Sequence, residues 1–408
     1  MKYIVIIPDG MADYPLEKLG GKTPLEAARK PNMDNLAKLG QIGMTKTVPE
    51  GLTPASDVAN LSIFGYDPDK FYSGRGPLEA ANLGIKLAIN EIAFRCNFVT
   101  VENDTMVDYS AGHISSEEAK VLIDFLNKKL SDKHVKFYPG ISYRNILVID
   151  EGLGLDYKNL NCTAPHDIME KNVIKNYPKG NGNNILINLM EKSKELLANH
   201  DINHVRIDLK ENPANMIWLW GQGKTPILPK FKEKYNVTGG VISAVDLIRG
   251  MGKILGLKSE KVSGATGYYD TDYQAKAKAA LEILENNDFV YIHIESPDEA
   301  GHNGNLQEKI LGIERIDKFI LGPIINALKN KNENFRILVM PDHATPIKLK
   351  THTADDVCYL IAGEGIPASG KETFNEKEAK ETGLYFKHAH NIMNYLINLT
   401  REEPEKNI

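Results

Sequence analysis

The chain has 408 residues, 42% of them hydrophobic and 25% charged, a balance that fits a soluble globular protein of two or three domains. Its 49 basic and 54 acidic residues leave a formal net charge of −5 with no long basic block, which argues against a nucleic-acid binder. Cys96, Cys162 and Cys358 are too scattered for a disulfide framework or a zinc ribbon, so a reducing cytoplasm is expected. No apolar run approaches the ~20 residues of a membrane span. The opening MKYIVIIPDG is too short for a signal peptide and predicts a first strand.

That strand covers residues 3–7, a β-branched run suited to burial on both faces, and it stops at Pro8-Asp9-Gly10. A helix follows, with Thr23 as N-cap, Pro24 at its first position and Glu26 closing a capping box. Thr53-Pro54 predicts a second start of the same kind, for ASDVANLSIFG. The texture then changes. IAFRCNFVTV and KFYPGISYRNILVI are alternating, half-buried runs around the helix SSEEAKVLIDFLNKKL, which Ser115 or Ser116 caps. This predicts an α+β unit at residues 87–176, inserted into a discontinuous domain of residues 1–86 and 177–408. In the second part, GGVISAVDLIRGMGKILGL, AKAKAALEILENN and KILGIERIDKFILGPIINALKN predict helices; DFVYIHI, FRILVM and VCYLIAG predict strands. Strands alternating with helices imply α/β architecture, a mostly parallel sheet with helices on both faces. The polar tail REEPEKNI is expected to fray.

Three of the predicted strands lead into Pro-Asp: at Asp9, at Asp298 in ESPDEAGH and at Asp342 in FRILVMPDHATP. One Pro-Asp-Gly is ordinary turn chemistry. Three together, two of them with a histidine, point to a shared site, because open α/β sheets bind ligands beyond the carboxyl ends of their strands. Ser296, Pro297 and Glu299 predict a capping box, and the helix they start puts Asp298 and His302 one turn apart on one face. His343 adjoins Asp342, and His352 follows nine residues later. Three carboxylates and three histidines suit two divalent ions better than one. Mixed imidazole and carboxylate ligation favours Mn²⁺ or Zn²⁺ over Mg²⁺. Paired ions serve displacement at phosphorus. Ser56, in the first turn of its helix, is a nucleophile candidate; a plain capping role and the rivals Thr53 and Ser62 stay open at this point.

The order of Asp9, Thr-Pro-Ala-Ser56-Asp, Asp298-x-x-x-His302, Asp342-His343 and His352 resembles the alkaline phosphatase superfamily. Together with KTPLEAARKPNMDNLAKLG, GGVISAVDLIRGMGK, NPANMIWLWGQG and TAPHDI, it resembles the archaeal-type cofactor-independent phosphoglycerate mutases over nearly the whole chain. The resemblance implies one ion on Asp9, Ser56, Asp342 and His343, a second on Asp298, His302 and His352, and Ser56 as the phosphorylated nucleophile. It implies Mn²⁺ first, with Zn²⁺, Co²⁺ or Mg²⁺ as alternatives. It also implies interconversion of 2- and 3-phosphoglycerate, in glycolysis and gluconeogenesis, without 2,3-bisphosphoglycerate. The inserted unit is then a lid that excludes water and holds the glycerate. Its candidate cations are Arg144, His113, His166 and Arg95, with Arg75, Arg206 and Lys261 outside it. The partner is a small phosphorylated molecule, with no nucleic acid and no membrane; a homo-oligomer is compatible with the sequence. Other readings are a phosphohydrolase or another mutase of the superfamily, a homoserine-kinase-like protein, and a non-catalytic metal- or phosphate-binding module.

Overall fold

The computed structural model describes residues 1–399 and the backbone of residues 405–406. The expected fraying of the tail lies outside the described residues, except that Glu405–Lys406 form a short strand. In chain order the strands are β1 (Lys2–Pro8), β2 (Gln41–Thr45), β3 (Glu91–Glu102), β4 (Thr105–Asp108), β5 (Val135–Ile141), β6 (Arg144–Asp150) and β7 (Met216–Gly223). Then come β8 (Gly239–Ile242), β9 (Phe289–Ile294), β10 (Phe335–Val339), β11 (Val357–Gly363), β12 (Leu384–Phe386) and β13 (Glu405–Lys406). Among the described residues no helix is long and apolar enough to cross a membrane.

The chain divides into two compact units, Met1–Tyr72 with Leu228–Ile408, and Ser73–Ile227. The first holds an eight-stranded sheet in the order β13-β12-β2-β11-β10-β1-β9-β8. β1 runs parallel to both neighbours, with Ile6 opposite Val339 on β10 and opposite Ile292 on β9. Ile4, Val5, Ile6 and Ile7 are all fully buried. Successive side chains point to opposite faces, so both faces of this strand are covered. The parallel register brings the carboxyl ends of β1, β9 and β10 together, and with them Asp9, Glu295–Asp298 and Asp342–His343.

The sheet is mixed rather than wholly parallel. β11 runs antiparallel to β10 and to β2. An antiparallel neighbour needs only a loop to reach it, and the loop from β10 to β11 is the segment that carries Asp342, His343 and His352. The run GGVISAVDLIRGMGKILGL is also not one helix. Gly239–Ile242 pairs in parallel with β9, and the helix begins only at Asp246. The long helix expected after Lys309 is interrupted by a π turn at Asp317–Leu321.

The capping boxes at Thr23 with Glu26 and at Ser115 with Glu118 both form. Two others do not. The helix Ser56–Ile63 has Ala55 as N-cap with no side-chain bond, so Thr53 does not cap it. The helix Ser296–Asn303 starts from Glu295, again without a side-chain cap, and the Ser296 hydroxyl instead accepts from the Tyr273 hydroxyl at 2.8 Å.

The second unit is built on an antiparallel sheet in which β3 pairs with β4, β6 and β7, and β5 pairs with β6. Its bounds, 73 and 227, are wider than the expected 87 and 176. The difference has a physical cause. β7 pairs along β3, with Asn97 opposite Trp218. The helix Arg75–Asn82 lies so close to β3 that a Cβ on Gly76 would meet the Ala93 carbonyl oxygen at 2.5 Å. The helix Asn183–Leu197 joins the same core through Leu186, Met190 and Leu197. These are long-range pairings, invisible to local periodicity.

Candidate metal centre and active site

The metal-ligand candidates gather in the first unit, on loops and on the helices Ser56–Ile63 and Ser296–Asn303, at one edge of the sheet. Asp9 N–H donates to the Ile294 carbonyl at the end of β9. Gly10 follows at φ +62°, where a Cβ would meet Thr345 Oγ1 at 2.5 Å and Asp298 Oδ1 at 2.6 Å. Glycine is therefore required there both for the turn and for the close approach. Asp342 Oδ1 accepts from Gly10 N at 3.2 Å and His343 N at 2.9 Å. Its Oδ2 accepts from Asn60 Nδ2 at 2.8 Å, and Asn60 also donates to the Ser56 carbonyl. The Tyr291 hydroxyl on β9 holds the Asn60 oxygen.

Two ligand groups result. Around His343 Nε2 lie Ser56 Oγ at 3.2 Å, Asp9 Oδ1 at 3.5 Å and Asp342 Oδ2 at 3.6 Å. Around Asp298 lie His302 Nε2 at 3.2 Å and His352 Nε2 at 3.4 Å, the two imidazole nitrogens 2.9 Å apart. The rings of His343 and His352 are 4.0 Å apart, so the groups adjoin. The structure brings together all seven of the candidates named from sequence. Thr53 is exposed, and Ser62 is buried deeper in the helix.

The chemistry of the donors fits divalent ions. His302 Nδ1 contacts the Lys350 carbonyl at 3.1 Å, His352 Nδ1 the Pro54 carbonyl at 3.2 Å, and His343 Nδ1 the Thr345 hydroxyl at 3.2 Å. Each ring thus turns Nε2 toward the carboxylates, the arrangement of ligating histidines. The acids are buried together. Burial and then the neighbours Asp342 and Asp298 hold the Asp9 carboxyl well above the usual range. Burial would raise Asp298 as well, but contacts from His302 and His352 outweigh it and hold its carboxyl well below the usual range. The Asp298 contact in turn pushes His302 up to about 9. Asp9 Oδ1 is buried without a hydrogen-bond partner. A cation among these groups would relieve the repulsion that protons must otherwise relieve.

The second unit gathers most of the basic candidates. Arg95, buried on β3, lies 4.3 Å over the Trp220 ring and 3.1 Å from Glu79 Oε2. Burial pushes its guanidinium down to about 10; Glu79 opposes this, while Arg75 and Arg144 add to it. Arg75 lies 5.8 Å from the same ring, and the His166 ring 5.4 Å from it. Tyr109 links His166 to Tyr143, which neighbours His113 and Arg144. Arg144 opens β6 at the turn from β5. Ala111, Gly112 and His113 all have positive φ, which is costly for the two residues that carry a Cβ. Arg206 does not belong to the cluster. It is buried against Glu118 and Glu211, and it donates to the Ala111 carbonyl, which pins that strained loop. Lys261 lies exposed in the first unit.

A family model described as 2,3-bisphosphoglycerate-independent phosphoglycerate mutase matches residues 37–203. A protein of that name from Methanothrix thermoacetophila is 49% identical over 97% of this chain and 100% of its own length. The chain belongs to this mutase family. A Pyrococcus horikoshii protein of known structure superposes with a TM-score of 0.81 at 32% identity, covering 100% of this chain and 99% of that one. The cofactor-independent phosphoglycerate mutase of Thermoplasma acidophilum superposes with a TM-score of 0.67 at 25% identity, covering 98% and 100%.

In this family member several supporting residues escaped sequence reasoning. Asn60, one turn after Ser56, was legible only as a helix-face residue. Thr345 donates to Asp298 Oδ1 at 2.5 Å but reads as loop chemistry. Lys309, fully buried, donates to Asp13 Oδ2 at 2.7 Å, Thr345 O at 2.8 Å and Ala12 O at 3.3 Å. One ammonium thus ties the loop after β1 to the loop after β10. Lys309→Met would leave the Asp13 carboxylate buried without its counter-charge, an expected loss of about 3–5 kcal/mol. Denaturant titration of the ion-free protein checks this, and an unchanged midpoint contradicts it.

Proposed function

We propose that this chain interconverts 2-phosphoglycerate and 3-phosphoglycerate without 2,3-bisphosphoglycerate, by way of a phosphoserine at Ser56. The observation that carries the reading is the Ser56 hydroxyl, 3.2 Å from His343 Nε2, which itself lies 3.5 Å from Asp9 Oδ1 and 3.6 Å from Asp342 Oδ2. Two divalent ions, Mn²⁺ by preference, held by Asp9, Ser56, Asp342 and His343 and by Asp298, His302 and His352, would lower the hydroxyl's pKa and stabilise the phosphoryl oxygens. Ser56 Oγ loses its proton and attacks phosphorus. The phosphorus–oxygen bond to glycerate breaks, and the glycerate oxygen takes up a proton. The other glycerate hydroxyl then loses its proton and attacks the phosphoserine, the bond from phosphorus to Ser56 Oγ breaks, and Oγ takes up a proton. The helix Ser56–Ile63 begins at the nucleophile, so its N-terminal dipole favours the developing charge.

A mutase must keep the glycerate while its phosphoryl group is on the serine. We assign this holding to the second unit, whose Arg75, Arg95, Arg144, His113 and His166 share the aromatic cluster of Trp220, Tyr109 and Tyr143. Arginine suits carboxylate and phosphate because its donors match them in pairs. Each charge-assisted hydrogen bond lost weakens binding by about 1.5–3 kcal/mol. Arg144→Ala is therefore expected to raise KM about tenfold to a hundredfold. Steady-state kinetics test this, and an unchanged KM removes Arg144 from the substrate site. The three free cysteines, two of them buried, fit a cytoplasmic enzyme.

The deciding experiment follows 3-phosphoglycerate by ³¹P NMR with Mn²⁺-loaded protein and no bisphosphoglycerate. Appearance of 2-phosphoglycerate is expected. Inorganic phosphate as the sole product would make the chain a phosphohydrolase.

A further inference from the structure

We infer that His293 is a further metal ligand, its Nε2 joining Asp9 and Asp342 around the cation nearest Ser56; the inference rests on the metal-dependent reading above. His293 is fully buried on β9, in a run whose other members are apolar. Its two nitrogens face different surroundings. Nδ1 lies 3.2 Å from Glu295 Oε1. Glu295 is itself buried and held as an acceptor by Lys276 Nζ at 2.8 Å, Ser243 Oγ at 2.9 Å and Ala244 N at 3.1 Å. The Nδ1 position therefore carries the hydrogen, and Nε2 is turned into the acid cluster.

There Nε2 lies 3.4 Å from Asp9 Oδ2 and 3.8 Å from Asp342 Oδ2, and neither approach has hydrogen-bond geometry. Nε2 is a buried polar atom without a hydrogen-bond partner, as is Asp9 Oδ1 across from it. Such atoms are costly unless something satisfies them. In the ion-free chain burial opposes a charge on the ring, but Asp342 and Glu295 outweigh it and favour a protonated imidazole, with Nε2 3.4 Å from Asp9 Oδ2; a cation would take the place of that proton. A cation between the imidazole and the two carboxylates satisfies all three. A carboxylate on one ring nitrogen and the metal on the other is the usual setting of a ligating histidine. Lys276, whose Nζ also donates to the His293 carbonyl at 3.0 Å, fixes both ring and carboxylate to the strand. Two imidazoles, His293 and His343, would then share this ion with Asp9 and Asp342, a donor set suited to Mn²⁺, Co²⁺ or Zn²⁺.

The test uses the full-length, metal-free protein titrated with Co²⁺, read by visible absorption and by the strongly shifted, exchangeable imidazole N–H resonances of ligating histidines. His293→Asn keeps an amide donor for Glu295 and removes only Nε2. One shifted resonance is expected to vanish, and one of the two Co²⁺ affinities to fall about 10- to 100-fold, the other being retained. Retention of every resonance and of both affinities overturns the assignment. Equal weakening of both ions overturns it too, as a packing effect. Should His293→Asn fail to fold, Glu295→Gln leaves the ligand in place but changes its partner. It is expected to move that same resonance and weaken the same ion, and an unchanged spectrum overturns the assignment. Wild-type protein that binds no Co²⁺ would sink the metal-dependent reading itself.

Discussion

Ser56→Ala is expected to lower mutase turnover by at least about 10⁴-fold, the scale seen when an enzyme loses its nucleophile. The substitution removes one hydroxyl whose contact is with His343 Nε2. It removes no helix cap, since Ala55 occupies that position. The change in folding stability is therefore expected to stay within about 1 kcal/mol, the scale of substitutions away from cores, caps and networks. The Oγ is the atom that must hold the phosphoryl group between the two half-reactions, and neither Thr53, exposed ahead of the helix, nor Ser62, buried within it, is placed to replace it. ³¹P NMR of product formation, alongside a denaturation curve, separates lost chemistry from lost fold. Turnover within tenfold of the unaltered protein would place the nucleophile elsewhere and undo the phosphoserine reading.

Removal of divalent ions is expected to abolish turnover, and Mn²⁺ to restore it with an affinity that climbs with pH. The sign follows from the protons the ions must displace. In the ion-free chain the contact with Asp298 raises His302 to about 9, and burial with neighbouring acids raises Asp9. Below pH 9 an incoming ion must expel the His302 proton, so affinity weakens by about tenfold per pH unit for each such proton. Stability of the ion-free chain runs the other way. A histidine whose folded pKa lies above its unfolded value of 6.5 contributes stability fully present below 6.5 and lost as pH rises through about 9. Ion-free protein should thus become less stable across that window, and ion-loaded protein should not. Calorimetric Mn²⁺ titrations at pH 6, 7, 8 and 9 measure the first effect, and thermal unfolding measures the second. An affinity independent of pH would show that His302 is not a ligand.

Several candidate ligands were legible in the sequence because they lie where local rules reach, whereas the role of Ser56 and the division of ligands between two ions came from the resemblance. Asp9 and Asp342 follow uninterrupted β-branched strands at Pro-Asp, and Asp298 with His302 shows helical spacing. Supporting residues were not legible for the opposite reason. His293 sits inside the strand FVYIHI, where an isolated histidine looks like a packed core residue. Its significance comes from Asp9 and Asp342, brought to it from β1 and β10 by sheet register. Lys309 and Asp13 are likewise unremarkable on their own elements, and only their burial as a pair makes them structural.

The same division runs through the fold. By itself the sequence determined the strands β1, β3, β5, β6, β9, β10 and β11, the capped helices at Thr23 and Ser115, and the placing of acids and histidines just beyond strand ends. Those features depend on periodicity, turn chemistry and capping, which act over a few residues. Tertiary structure decided the antiparallel entry of β11, the elements that pack into the second compact unit, the failure of the Thr53 and Ser296 caps, and the partners of His293, Lys309 and Arg95. Each depends on groups distant in sequence competing for the same buried hydrogen bonds or charges. Burial raises the cost of an unmet polar group, so the folded neighbours, rather than the local pattern, settle which groups are paired.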